Sequence, residues 1–117
     1  MTDVQVSHDD VPGVAVIRLE GELDLTNAHL VSEAVGETSA PGVVLDLTGV
    51  TFLDSMAVRA LDGGHRRLAA EQRSLVIVSP PDTPSAWTLR VAGLANDLVC
   101  ESLDAALAAV ADRAAKR

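Results

Sequence analysis

A serine preceded by an aspartate is the pair of residues in this sequence best placed to do chemistry. Asp54 and Ser55 follow the apolar run Val43–Leu47 through a short loop and come directly before a helical stripe of apolar residues. Both residue types favour the first positions of a helix, where their oxygens accept the free backbone N–H groups, so the pair can simply be a helix cap. Alternatively, Ser55 displays a hydroxyl at a helix N-terminus, where N–H groups and the helix dipole would also hold a phosphate. Local sequence patterns leave both interpretations open.

Other residue patterns that carry chemistry are missing from the sequence. His8, His29 and His65 have no histidine four residues away and no pair of cysteines, so we expect no zinc site. The sequence contains neither G-x-x-x-x-G-K-[ST] nor G-x-G-x-x-G, the glycine-rich patterns that bind phosphate groups. Ser55 does not lie in the G-x-S-x-G pattern of a nucleophilic serine. We therefore expect a protein that is not an enzyme and that uses no metal and no cofactor.

Length and charge narrow the class of protein further. The chain has 117 residues, of which 48% are hydrophobic, and we expect residues 1–117 to form one compact domain. With 9 basic and 17 acidic residues the net charge is −8, which repels phosphate backbones and anionic lipid. Phe52 and Trp87 are the only aromatic residues, so there is no platform on which bases could stack. Nucleic acid and membrane surfaces are therefore excluded as expected partners.

The cellular compartment is indicated by three further features. Cys100 is the only cysteine, which rules out an intramolecular disulfide and is typical of a reducing compartment. The first ten residues do not resemble a secretory signal. The longest apolar run, Ala105–Ala111, is much shorter than the roughly 20 residues of a membrane-spanning helix. We expect a cytoplasmic protein whose Cys100 thiol, placed in an apolar strand, is buried and inert.

Hydrophobic periodicity predicts five strands and four helices in the order ββαβαβαβα. The strands are predicted from alternating or continuous apolar runs, and the helices lie between them or follow them. The predicted strands are Val4–Ser7, Val14–Leu19, Val43–Leu47, Leu75–Val78 and Leu98–Cys100. The turn signal Val11–Gly13 predicts an antiparallel hairpin at the N-terminus, and strands separated by helices predict parallel pairing after it. The expected fold is a small α/β domain with a mixed sheet.

Polar residues at the helix ends suggest where the helices start and stop. Thr26 or Asn27 is predicted to cap the first helix, which Gly36 can end. Ser102 is predicted to cap the last helix, and Arg113 with the basic residues Lys116 and Arg117 lies near the negative end of its dipole. The apolar residues Phe52 and Leu53 would anchor the loop before Asp54 as a hydrophobic staple does.

Two segments resemble the STAS domains of bacterial anti-sigma factor antagonists. The first is Leu19–Asp24, which contains the sequence Gly-Glu-Leu-Asp, expected to form a turn. The second is Val43–Ser55, the strand, loop and helix start that contain Asp-Ser. The two motifs occur at the separation typical of this family, and the similarity in element order and length covers nearly the whole chain.

The resemblance implies a switchable binding protein. In the family the unphosphorylated antagonist binds an anti-sigma factor, often a serine kinase, and thereby frees a sigma factor. The kinase phosphorylates a serine at the helix start, and a serine phosphatase reverses the modification. The expected partners of this chain are thus an anti-sigma factor or serine kinase and a serine phosphatase, and the chain itself is expected to be a monomer or a weak homodimer.

The resemblance also implies roles for individual residues. Ser55 matches the phosphorylated serine, and Asp54 matches the aspartate before it. Asp24 matches an acidic residue that lies near the phosphorylation site in the family, although it can equally be a turn carboxylate before the helix cap. After Asp-Ser the family usually has Ser or Thr, then Gly, where this chain has Met56 and Ala57. All five are predicted to bind the partner, with Met56 either exposed as an apolar contact or packed inward.

Charge provides the expected mechanism of the switch. A phosphate on Ser55 would add about −1.5 to −2 beside Asp54. A helix N-terminus tolerates that charge, so the fold need not change, whereas a protein interface would have to desolvate it. The alternative, which the Met56–Ala57 departure favours, is a STAS module that docks constitutively in a transporter or signalling assembly and is not phosphorylated.

Overall fold

A computed structural model of the chain describes residues 4–94 and 96–115. The described residues form five strands, four α-helices and one short 3₁₀ segment, in the predicted order ββαβαβαβα. The strands are β1 (Gln5–His8), β2 (Val14–Leu23), β3 (Gly42–Leu53), β4 (Ser74–Val78) and β5 (Val99–Cys100). The helices are α1 (His29–Glu37), α2 (Ser55–Ala70), α3 (Pro84–Ala92) and α4 (Leu103–Ala115), and the 3₁₀ segment is Asn96–Leu98.

The five strands form one mixed sheet whose spatial order is the same as their order in the chain. β1 pairs antiparallel with β2, and every later pair is parallel. Gly13, with a φ of 79°, makes the tight connection between the first two strands, a conformation that glycine adopts without strain. The predicted hairpin and the predicted parallel pairing are both confirmed.

Helices cover both faces of the sheet, which is why the central strands are apolar without alternation. Side chains from α1, α2 and α3 pack on one face against residues such as Leu45 and Ile77. Ala106 and Val110 of α4 pack on the opposite face against Val44 and other valines of the central strands. None of the helices in the described residues is both long enough and apolar enough to cross a membrane.

β2 and β3 are longer than the sequence predicts, and their extra length builds the edge of the sheet where Asp54 lies. β2 continues beyond Leu19, so most of the Gly-Glu-Leu-Asp motif is strand and the prediction of a turn there is wrong. Gly21 has a φ of 105° next to a shift in the register between the two strands, which keeps them paired as far as Leu23 and Leu53. Asp24 follows Leu23 and Asp54 follows Leu53, so the two aspartates lie side by side at the end of this strand pair.

The prediction that Thr26 or Asn27 caps α1 is wrong. The residue before α1 is Ala28, and no side chain caps the helix. Asn27 instead accepts a hydrogen bond from the backbone N–H of Asp24 at 2.9 Å and donates one to the carbonyl of Glu22 at 2.8 Å. Its side chain stabilises the loop between β2 and α1 rather than the helix.

The other predicted helix ends fare differently. Gly36 lies inside α1, which continues through Glu37 and stops where the chain becomes extended at Thr38. Ser102 does cap α4, because its hydroxyl oxygen accepts the N–H of Ala105 at 3.1 Å. The predicted contribution of Lys116 and Arg117 to the C-terminal end of α4 lies outside the described residues.

Candidate functional site

Asp54 is the residue around which the candidate site is built. Its extended backbone ends β3, and it is the N-cap of α2. One carboxylate oxygen accepts the N–H of Ala57 at 2.9 Å, which confirms the helix cap predicted from the sequence. The other oxygen accepts the N–H of Leu25, in the loop after β2, at 3.0 Å. A single carboxylate therefore starts the helix and ties it to the neighbouring loop.

The loop that Asp54 holds is organised by Asp24. One oxygen of the Asp24 carboxylate accepts both the N–H of Thr26 at 2.9 Å and its hydroxyl at 2.6 Å. The backbone carbonyl of Asp24 accepts the N–H groups of Asn27 and Ala28. Asp24 is thus a turn carboxylate, which was one of its two interpretations. The other placed it near the predicted phosphorylation site, and its loop does lie beside Asp54.

Ser55 is exposed at the first position of α2. Its neighbour Asp54 directs one carboxylate oxygen to the Ala57 N–H and the other to the Leu25 N–H. The first N–H groups of a helix lack partners within its regular hydrogen-bond ladder, and of these the N–H of Ala57 is bound by the Asp54 carboxylate. The hydroxyl is open to another protein and stands where added negative charge is tolerated.

The structure separates Met56 from Ala57. Met56 is 37% exposed beside Ser55, which decides between its two interpretations in favour of an exposed apolar residue. Ala57 is fully buried, with 0% exposure, and its methyl group packs into the core. The prediction that Ala57 contacts a partner is therefore wrong for its side chain, because the residue that follows Met56 on the helix turns inward.

Two exposed apolar residues next to the site were not assigned to it from the sequence. Leu25 is 66% exposed, and it lies at the site because its N–H binds Asp54. Phe52 is 50% exposed, whereas Leu53 is buried in the core, so only Leu53 acts as the predicted anchor of the loop. The sequence does carry a signal for Leu25 as a site residue, because it is an apolar residue between Asp24 and Thr26 in an otherwise polar turn. We call Asp24, Leu25, Asp54, Ser55 and Met56 together the Ser55 surface.

Two further predictions, that Cys100 is buried and inert and that the chain has no metal site, do not involve the Ser55 surface. Cys100 is half-buried rather than buried, but loss of solvent contact raises the pKa of its thiol, against a smaller opposite effect of Arg113. The prediction that Cys100 is buried is thus wrong in part, and the prediction that its thiol is inert stays a prediction. Among the residues that the structure describes, no group of three or more His, Cys, Asp or Glu side chains is arranged to hold a metal ion.

The pKa of the Asp24 carboxyl lies below its usual value of 3.8, chiefly because the Thr26 hydroxyl donates to it and secondarily because of the Thr26 N–H. Thr26→Val removes the larger cause and is expected to raise the pKa of Asp24 toward 3.8, as followed by NMR of the carboxyl carbon. A pKa that is depressed in the folded protein stabilises it above the unfolded pKa and loses that effect as the pH falls through the folded pKa. The stability difference between wild type and Thr26→Val should therefore be present at pH 6 and shrink below about pH 3.8.

Thr48→Val is the matched control for that titration. The N–H and hydroxyl of Thr48 bind the Asp46 carboxylate at 3.0 and 2.6 Å, the same arrangement at a distance from the Ser55 surface. This variant should leave the pKa of Asp24 where it is in wild type. An equal rise in both variants would contradict a local role for Thr26.

The chain is similar to several known proteins. The anti-sigma-F factor antagonist RsfB of Mycobacterium tuberculosis is 39% identical over 61 residues, which are 50% of this chain and 50% of RsfB, so the match spans about half the length of that relative. An anti-sigma factor antagonist from Mycobacterium paratuberculosis has a TM-score of 0.81 and 29% identity, covering 94% of this chain and 96% of that one. The phosphorylated form of the Bacillus cell fate determinant SpoIIAA shares the fold, with a TM-score of 0.62 and 21% identity over 91% of this chain and 97% of its own.

The family assignment follows from a match that is much longer than the one to RsfB. Residues 5–106 match the family model described as STAS domain. That range includes both segments from which the resemblance was predicted, Leu19–Asp24 and Val43–Ser55. The prediction is confirmed, and the chain belongs to the STAS domain family.

Proposed function

We propose that this chain is an anti-sigma factor antagonist switched by phosphorylation of Ser55. In its unphosphorylated form it binds an anti-sigma factor and so frees a sigma factor. The observation that carries the proposal is the exposed Ser55 at the start of α2, next to the loop after β2 that Asp54 ties to this helix. Membership of the STAS family supports it, and so do the names of the relatives from the two Mycobacterium species, which are anti-sigma factor antagonists.

The Ser55 surface has the composition that a reversible protein contact needs. Leu25 and Met56 supply exposed apolar area, and the Ser55 hydroxyl can donate or accept a hydrogen bond. The carboxylates of Asp24 and Asp54 are held by hydrogen bonds within the chain, so they shape the surface before a partner arrives. Binding would order few additional groups, which lowers its entropic cost.

The modifying enzyme would be a serine kinase, and in the scheme proposed the anti-sigma factor itself has that activity. The Ser55 oxygen forms a bond to the γ-phosphorus of ATP while the bond from that phosphorus to its bridging oxygen breaks. ADP leaves with the electron pair, and the hydroxyl proton passes to a base of the kinase. A serine phosphatase would restore the hydroxyl by hydrolysis. We assign the chain itself a binding role with no turnover, and we place it in the cytoplasm with its partner.

Phosphorylation would act through local charge. Asp54 already occupies the N-terminal side of α2, and the phosphate would add about −1.5 to −2 on the exposed face next to it. The charge lies outside the core, so we expect the fold to persist. At an interface the same charge would have to lose its water, and a cost of about 1.4 kcal/mol is enough to weaken binding tenfold.

The test is to incubate the chain with ATP and the anti-sigma factor kinase encoded in the same genome, and to locate phosphate by mass spectrometry. We expect one phosphate, on Ser55, and none on the Ser55→Ala variant. Phosphate elsewhere, or none on a chain that still binds the anti-sigma factor, would contradict the switch. That second outcome is what a constitutively docking STAS module would give, the alternative that Met56 and the inward-facing Ala57 favour by departing from the family pattern.

A further inference from the structure

The arginines of α2 show a regular pattern of ion pairs with one exception. Arg66 lies one turn after Asp62 and donates to its carboxylate at 2.8 Å. Arg67 lies one turn before Glu71, with 3.8 Å between their closest atoms. Arg59 is also exposed on α2, but within residues 4–94 and 96–115 no carboxylate oxygen lies within ion-pairing distance of it. Against the described part of the chain, its guanidinium group is therefore an unpaired cation.

The residue one turn before Arg59 is Ser55. The spacing from Ser55 to Arg59 repeats the spacing from Asp62 to Arg66, displaced by seven residues, which is close to two helical turns. Both pairs therefore lie along nearly the same side of α2. Side chains four residues apart have Cβ atoms about 5–6 Å from each other, and an acidic group that precedes a basic one is the favourable order. Asp62, three residues after Arg59, is engaged with Arg66.

We infer that Arg59 is the intramolecular counterion of a phosphate on Ser55, if Ser55 is the phosphoacceptor proposed above. The modification would place an anion one turn before Arg59, just as the Asp62 carboxylate lies one turn before Arg66. A guanidinium group is planar and offers paired N–H donors, which match two phosphate oxygens better than a lysine ammonium does. Phosphorylation would thus remove two features at once, the free hydroxyl of the Ser55 surface and the unpaired Arg59 cation one turn further along α2.

This pairing makes a prediction about the phosphate itself. The second pKa of phosphoserine is ordinarily about 6, and a nearby cation lowers it by favouring the dianion. Phosphoserine can be incorporated at position 55 during synthesis, and its titration can be followed by ³¹P NMR at low ionic strength. Arg59→Gln is expected to raise the second pKa of that phosphate by about 0.3 or more. Arg59→Lys, which keeps a charge without the planar donors, should give an intermediate value.

Arg66→Gln is the matched control, because it removes the same charge from the same side of α2 two turns further on. Its effect on the phosphate should be less than half that of Arg59→Gln. An equal effect of the two variants, or no effect of Arg59→Gln, would overturn the pairing. Superposable amide NMR spectra establish that each variant is folded. The phosphate is introduced without a kinase or a partner, so this result does not depend on whether a kinase modifies Ser55. If no kinase does so, the proposed function is overturned but the pairing with Arg59 is not.

Discussion

Replacing Ser55 with aspartate is expected to weaken binding of the anti-sigma factor by at least ~10-fold. Aspartate adds one negative charge at the exposed first position of α2, beside the apolar side chains of Leu25 and Met56. A partner that covers these residues must also cover the new carboxylate, and a buried charge without a partner costs several times the free energy of a neutral contact. Isothermal titration calorimetry with the purified anti-sigma factor measures the dissociation constant directly.

Two variants separate this local effect from general ones. Ser55→Ala removes the hydroxyl without adding charge, so we expect it to keep most of the affinity. Ser32→Asp adds the same charge at an exposed serine of α1, and it should bind as wild type does. Equal affinities for Ser55→Asp and Ser32→Asp would show that the interface lies elsewhere on the molecule.

The sequence was sufficient to predict the order of the strands and helices, because that order depends on local periodicity. The continuous apolar run around Leu45 predicts a strand covered on both faces, and the structure confirms it. The cap by Asp54 was equally accessible, since the hydrogen bond to Ala57 spans only three residues. Interactions between neighbours in the chain leave their pattern in the sequence.

Contacts between distant residues left no such pattern. The bond from the Leu25 N–H to Asp54 joins residues 29 apart, and it depends on the extra length of β2 and β3. The role of Asn27 was misassigned for the same reason, because its side chain satisfies the loop of a longer strand instead of the first N–H groups of a helix. The burial of Ala57 is a different case, because the apolar helical stripe after Ser55 already includes it, and only the family resemblance assigned it to a partner contact.

Asp54→Ala is expected to lower the free energy of unfolding by about 1–2 kcal/mol. The change removes both hydrogen bonds of the carboxylate, to Ala57 and to Leu25, and it also removes a negative charge from the N-terminal end of α2. Asp62→Ala is the control on the same helix, because Asp62 makes a surface ion pair with Arg66, whose loss should cost no more than about 0.5 kcal/mol. Urea denaturation of both variants measures the difference.

Asp54→Asn divides the two functions of the carboxylate. The asparagine oxygen can still accept from Ala57 and cap the helix, but its other terminal atom is a donor and cannot accept the N–H of Leu25. We therefore expect a smaller loss of stability than in Asp54→Ala, together with faster hydrogen exchange at the Leu25 amide. Unchanged exchange at Leu25 would mean that other bonds hold the loop without Asp54. If the exchange does increase, affinity for the anti-sigma factor should fall even with Ser55 intact, because the partner would then have to order the loop that carries Leu25.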